Sequence, residues 1–210
     1  VGNAGYNDLE GGAGNDTLEA GAGGSYLMGR AGNDSIVGSN TDSDTVAYQD
    51  APAGVSVNLA TGRASGEGND TLVAVDDVVA SFLDDSITGN DGSNRLYGLD
   101  GNDTLNGGKG NDFLSPGAGD DLVDGGGHTD EVDYGGSMQS MVVDLVNGIA
   151  SGWGTDTLVG IEGASTGSGD DELYGDGQSN HFSPGLGDDF VVGGDGYDTV
   201  DLGTAESGVH

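Results

Sequence analysis

Cysteine is absent, so the chain has no disulfide to staple it and no thiol for redox chemistry. Positive charge is nearly absent as well: 4 Lys plus Arg stand against 37 Asp plus Glu, a formal net charge of −33. Such a chain is a poor partner for nucleic acid and for anionic membrane surfaces, and it resists compaction unless cations neutralise it. Hydrophobic residues make up only 33% of 210 positions while glycine takes 45, which excludes an ordinary globular core and an all-helical fold. No apolar run reaches membrane-spanning length and the first residues do not read as a secretory leader, so neither membrane insertion nor a leader is expected in this stretch. Catalytic signatures are missing too. No HExxH or phosphate-cradling GK(S/T) motif occurs, no GxSxG nucleophile elbow stands out, and His128, His181 and His210 lie in unrelated contexts. Carboxylate pairs abound, but the repeat described next accounts for each, so the expectation is a chain that is not itself an enzyme.

What the sequence does have is one nine-residue phrase, written GGAGNDTLE at residues 11–19 and GLDGNDTLN at 98–106. Glycines at positions one, two and four permit positive φ and let backbone carbonyls turn inward. An aspartate closes the loop at position six. The last three residues alternate as a short strand does, so one apolar side chain per repeat, such as Leu18 or Leu105, faces a core. Calcium takes about six to eight oxygens from carboxylates and carbonyls in flexible geometry, and this loop supplies both kinds. The phrase has the form Gly-Gly-x-Gly-x-Asp-x-U-x with U apolar. In this it resembles the calcium-binding nonapeptide of the RTX (repeats-in-toxin), or haemolysin-type, family of secreted bacterial proteins.

The resemblance implies an all-β fold: a right-handed parallel β-roll in which two nonapeptides make one turn and loops 18 residues apart stack on the same edge with ions between them. Aspartates at that spacing are Asp16 and Asp34; Asp85, Asp103 and Asp121; Asp112 and Asp130; Asp171 and Asp189. The full set of implied calcium ligands adds Asp44, Asp70, Asp156 and Asp198, the amides of Asn94 and Asn180, and the loop glycines Gly12, Gly14, Gly32, Gly101, Gly108, Gly110, Gly119, Gly187, Gly194 and Gly196. About six to ten ions are expected. At Asp44, Asp70 and Asp156 the competing reading is an Asx turn. Asn7, Asn94 and Asn180 hold the sixth position at equivalent places, where weak ligation and loop capping stand side by side. Ser25 at a sixth position predicts a weak or empty site.

Between the regular blocks the pattern breaks, and the break itself repeats. Asp44, Tyr48, Leu59, Gly62, Asp70 and Asp85 return 86 positions later as Asp130, Tyr134, Leu145, Gly148, Asp156 and Asp171. The chain therefore divides into a regular block at 1–46, an irregular segment at 47–88, a regular block at 89–133, a second irregular segment at 134–174 and a partial block at 175–210. Alternation in VSVNL predicts a half-buried strand at 55–59 followed by a turn at ATGR, and Val75 and Val78 are placed to pack. The opening falls mid-repeat at Gly2 and the ending DLGTAESGVH lacks the form of a complete export signal, so the expectation is a fragment of a longer protein.

The function implied is a calcium-binding module of a type I-secreted protein. It would be disordered without calcium and fold outside the cell, with calcium as its cofactor and a monomeric, extracellular or cell-surface existence. One alternative is calcium-dependent binding of polysaccharide or a cell surface, as in an adhesin or carbohydrate-binding module. It is motivated by Trp153, the sole tryptophan, whose counterpart 86 positions earlier is Glu67. A plain packing role for Trp153 competes with it. A calcium-stiffened spacer or surface-layer repeat is the other alternative. Any catalysis would belong to a separate domain of the parent.

Overall fold

The computed structural model describes residues 1–203; the reading of the chain's ending, His210 included, lies outside the described residues. Among the described residues there are 23 β-strands, most of three residues, and no helix. They form two sheets of 10 and 13 strands, and through the regular blocks successive strands alternate between them. Neighbours in each sheet run parallel at a register of 18 residues: Leu9 beside Leu27 in one, Leu18 beside Ile36 and Ile87 beside Leu105 in the other. Two nonapeptides thus complete one turn of a β-roll, as the resemblance implied.

The apolar residue at position eight carries the core. Leu27, Ile36, Ile87, Leu105, Val123 and Leu173 have no exposed surface, and the same row continues along both sheets as one contiguous cluster. Each side chain of this kind contributes about 1.5–3 kcal/mol on burial. With one per nine residues, the interior is a single thin seam. Glycine is required where loops stack: a Cβ at Gly119, whose φ is +146°, would collide with the carbonyl of Gly101 in the preceding turn.

The irregular segments are built into the 13-stranded sheet as antiparallel meanders. Ser56–Asn58, Arg63–Ser65 and Asn69–Val73 form the first, with Val57 opposite Ala64 and Ala64 opposite Asp70. Val142–Asp144, Ile149–Ser151 and Thr155–Val159 repeat it with Val143, Ala150 and Asp156. In each, the last strand pairs parallel with the preceding regular strand, Thr71 beside Ser35 and Thr157 beside Leu122. The first strand pairs parallel with the regular strand that follows, Ser56 beside Ser86 and Val142 beside Glu172. The chain therefore runs forward along the roll and fills back. The opposite sheet gains no strand there: Thr45–Ala47 pairs directly with Asp77–Val79. Tyr48 and Tyr134 are the largest fully buried side chains and sit just after the strands that precede each meander. Val55, Val57, Val75 and Val78 are buried, so the half-buried strand and the packing valines expected from the sequence are present.

Candidate functional site

The sixth-position residues form two ladders, one along each edge of the roll. In the regular blocks the backbone N–H of one member donates to a carboxylate oxygen of the member one turn on. Asp16 N–H donates to Asp34 Oδ1 at 2.8 Å, Asp85 to Asp103 at 2.8 Å, Asp103 to Asp121 at 2.7 Å, Asp112 to Asp130 at 2.8 Å and Asp171 to Asp189 at 3.0 Å. All five pairings expected from the spacing are therefore made. At the meanders the ladder crosses the inserted residues: Asp34 N–H reaches Asp70 Oδ1 at 2.9 Å and Asp121 N–H reaches Asp156 Oδ1 at 3.0 Å. Asn94 and Asn180 donate in the same way to Asp112 and Asp198.

With one oxygen fixed in all but Asp16, the other turns inward. Asp16, Asp34, Asp103, Asp112, Asp121, Asp130, Asp171 and Asp189 each bury Oδ2 without a hydrogen-bond partner, and Asp44 buries Oδ1 likewise. A buried carboxylate oxygen left unpaired is expensive, and native folds pair such groups with a donor or a cation. The surrounding loop is shaped to bring more oxygen to it. A Cβ at Gly98 would meet both Asp103 Oδ2 and the carbonyl of Pro116, and one at Gly107 would meet Asp112 Oδ2 and the carbonyl of Gly125. The first glycine of the repeat thus keeps open a pocket where a carboxylate and the next turn's carbonyl converge. All ten glycines nominated from the sequence have positive φ. Among the described residues no three acidic or histidine side chains cluster as a metal site. The donor set is one carboxylate and several carbonyls per loop, a hard-oxygen set suited to calcium.

Burial pushes the Asp103 carboxyl up to about 7, opposed by the N–H of Asp85 and reinforced by Asp121 and Asp85. Burial likewise pushes Asp121 and Asp130 up to about 6, again against one backbone N–H bond each.

Six nominated positions differ from the expectation of a buried open oxygen. Asp70 Oδ2 accepts the hydroxyl of Tyr48 at 3.1 Å, and Asp156 Oδ2 accepts that of Tyr134 at 2.6 Å. A donor side chain stands where the other loops leave a gap. Asn94 and Asn180 close their own loops: Oδ1 accepts the N–H of Asn90 and of Asp176, and Nδ2 donates to the carbonyls of Asp76 and Glu162. Asn7 does the same with Asn3, Gly5 and Ala20, so all three asparagines cap loops and put an N–H group among carbonyls. Asp85 is satisfied by the hydroxyl and N–H of Ser81 and the N–H of Val55. Ser25 donates to Gly23 O and supplies no charge. Asp198 accepts Asn180 N–H, and a Cβ at Gly193 would press on its other oxygen.

Two acids were missed. Asp76 accepts Asp44 N–H at 3.1 Å and Glu162 accepts Asp130 N–H at 3.0 Å, so both are ladder members. They lie behind VAV and VGI rather than a Gly-Gly-x-Gly run; the signal that finds them is their own separation of 86 residues.

The family model described as RTX calcium-binding nonapeptide repeat (4 copies) matches residues 1–27, 20–42, 80–114, 151–191 and 165–200, which together take in more than half of the chain. It leaves out 43–79 and 115–150, the stretches that hold the first meander and the start of the second. No curated protein gives a significant match.

Proposed function

The chain belongs to the RTX calcium-binding nonapeptide-repeat family, and on that footing we propose that this calcium-binding β-roll module is a folding switch for an exported protein. Nine buried carboxylate oxygens without partners carry the reading. Calcium at these loops would supply the positive charge and the oxygen coordination that nothing in the chain provides. Asp16, Asp34, Asp44, Asp103, Asp112, Asp121, Asp130, Asp171 and Asp189 would hold it, with loop carbonyls. Without it, 37 acidic residues repel one another around a seam one side chain wide, and the chain stays unfolded. Binding free energy is then folding free energy.

A chain that is unfolded where calcium is scarce can pass an export channel and fold on the far side, where calcium is plentiful. That supports a type I-secreted, extracellular role. The net charge of −33 exceeds what about six to ten divalent ions cancel and so favours a monomer. The test is far-UV circular dichroism in chelator and in millimolar calcium. A β spectrum that appears only with calcium supports the switch; the same spectrum in both sinks it.

A further inference from the structure

On the edge that carries Asp103 and Asp121, Phe82, Tyr97, Leu99 and Trp153 line an open cavity of 160 Å³, with Gly117, Asp100 and Ser115 completing its wall. Successive loops build it. A Cβ at Gly101 would meet the carbonyl of Leu83, Gly101 N–H donates to Ala118 O, and Gly119 N–H donates to Trp153 O. Phe82 and Trp153 therefore stand at the two ends of a short row of loops, and between them Gly117 lies tight against the carbonyl of Leu99. The indole of Trp153 lies close to Gly136: a Cβ there would be 3.1 Å from its Cη2. Phe82 is 55% exposed although it is a large apolar residue on a highly charged protein.

The roll contains its own control for these side chains. Displaced by 86 residues, Phe82 becomes Ser168, Tyr97 becomes Ser183, Leu99 becomes Gly185 and Trp153 becomes Glu67. In the earlier turns, Gly32 N–H donates to Glu67 O just as Gly119 donates to Trp153, but there Arg30 bridges to Glu10 and Asp50. The same backbone thus forms with serine, glycine or ion pairs. Trp153 packs in part against the core and Tyr97 against Phe113, yet the sister positions form the same backbone without an apolar side chain at any of the four. Leu99 is kept at φ +80°, a left-handed conformation in which Gly12, Gly108 and Gly117 hold the same loop position.

We propose that this groove binds an uncharged sugar residue of a polysaccharide. Flat aromatic faces match the C–H faces of a pyranose ring, and Asp100 and Ser115 offer acceptors to its hydroxyls. The groove is open to solvent and offers room for a single ring. A net charge of −33 turns away anionic polymers. The loops beneath hold Asp103 and Asp121, so the groove takes shape only in the calcium-loaded roll.

Trp153 is the only tryptophan, and its fluorescence reports the site directly. The calcium-loaded chain is titrated with maltohexaose, cellohexaose and mannohexaose, with a hexagalacturonate control, while circular dichroism monitors the fold separately. A saturable change in emission with a neutral oligomer is expected, at least tenfold weaker with the charged one. The Phe82→Ser/Tyr97→Ser double variant, which installs the residues of the sister unit, is expected to weaken it at least tenfold with an unchanged β spectrum. Emission unmoved by every neutral oligomer, equal response to the charged one, or full binding by the double variant each overturns the proposal. A chain that fails to fold in calcium is seen in the dichroism and indicts the folding switch instead.

Discussion

Asp103 and Asp156 hold the same place in the repeat but not the same role. The first leaves a buried oxygen open, whereas the second closes it with the hydroxyl of Tyr134. Replacing Asp103 with Asn removes a ligand charge and also a buried charge. Its calcium midpoint, read by dichroism, is expected to rise severalfold while the metal-free chain becomes no less stable. Tyr134→Phe does the opposite: it strands a buried acceptor, which costs about 1–3 kcal/mol. Urea unfolding at saturating calcium is expected to show that loss with little change in calcium midpoint. At this scale the sequence was only partly legible. Period and residue type point to Asp103, Asp112 and Asp121, because a carboxylate every 18 residues behind glycines has one chemical use. They do not separate Asp70 and Asp156 from the rest, because the tyrosine that satisfies each lies 22 residues away in a part of the chain that matches no repeat. Nor do they expose Asp76 and Glu162, which take up the ladder without a glycine loop.

At the scale of the strand and loop, each nonapeptide depends on one apolar anchor and one close backbone approach. Leu105→Ala, at a site with no exposed surface, is expected to lower stability by about 2–5 kcal/mol in calcium-saturated denaturant unfolding. Gly119→Ala offends twice, through its positive φ and through contact with the Gly101 carbonyl. It is expected to cut the cooperativity of the calcium transition as well as its midpoint. The regular blocks were readable in full because their period fixes strand, loop and register together. The meanders were readable only as local pieces. Alternation in VSVNL marks a strand and ATGR marks a turn, but neither tells whether the next strand runs parallel or antiparallel, or in which sheet it lies. Ala64 and Ala150, the buried residues of the two middle strands, give no stronger hint, since a lone small apolar residue fits any element.

For the whole molecule, charge sets the terms. The carboxyls of Asp103, Asp121 and Asp130 lie near 6 to 7 in the metal-free fold, against about 3.9 in an unfolded chain. Between pH 4 and 7 the fold thus binds protons that the unfolded chain has released. Stability of the metal-free roll is therefore present at low pH and lost as pH rises through these values. Acidifying a chelated sample from pH 7 to 4 is expected to recover part of the β spectrum, and the calcium midpoint is expected to rise over the same range because protons compete for the same oxygens. A flat spectrum across that range would contradict it. Each meander also adds two strands to one sheet and none to the other, at a spacing of ~4.8 Å per strand. Two bonded layers of unequal length behave like a laminated strip and curl toward the shorter one. Every 86 residues would turn the long axis in the same direction, so a parent with many such units would trace an arc instead of a straight rod, with one rim always outermost.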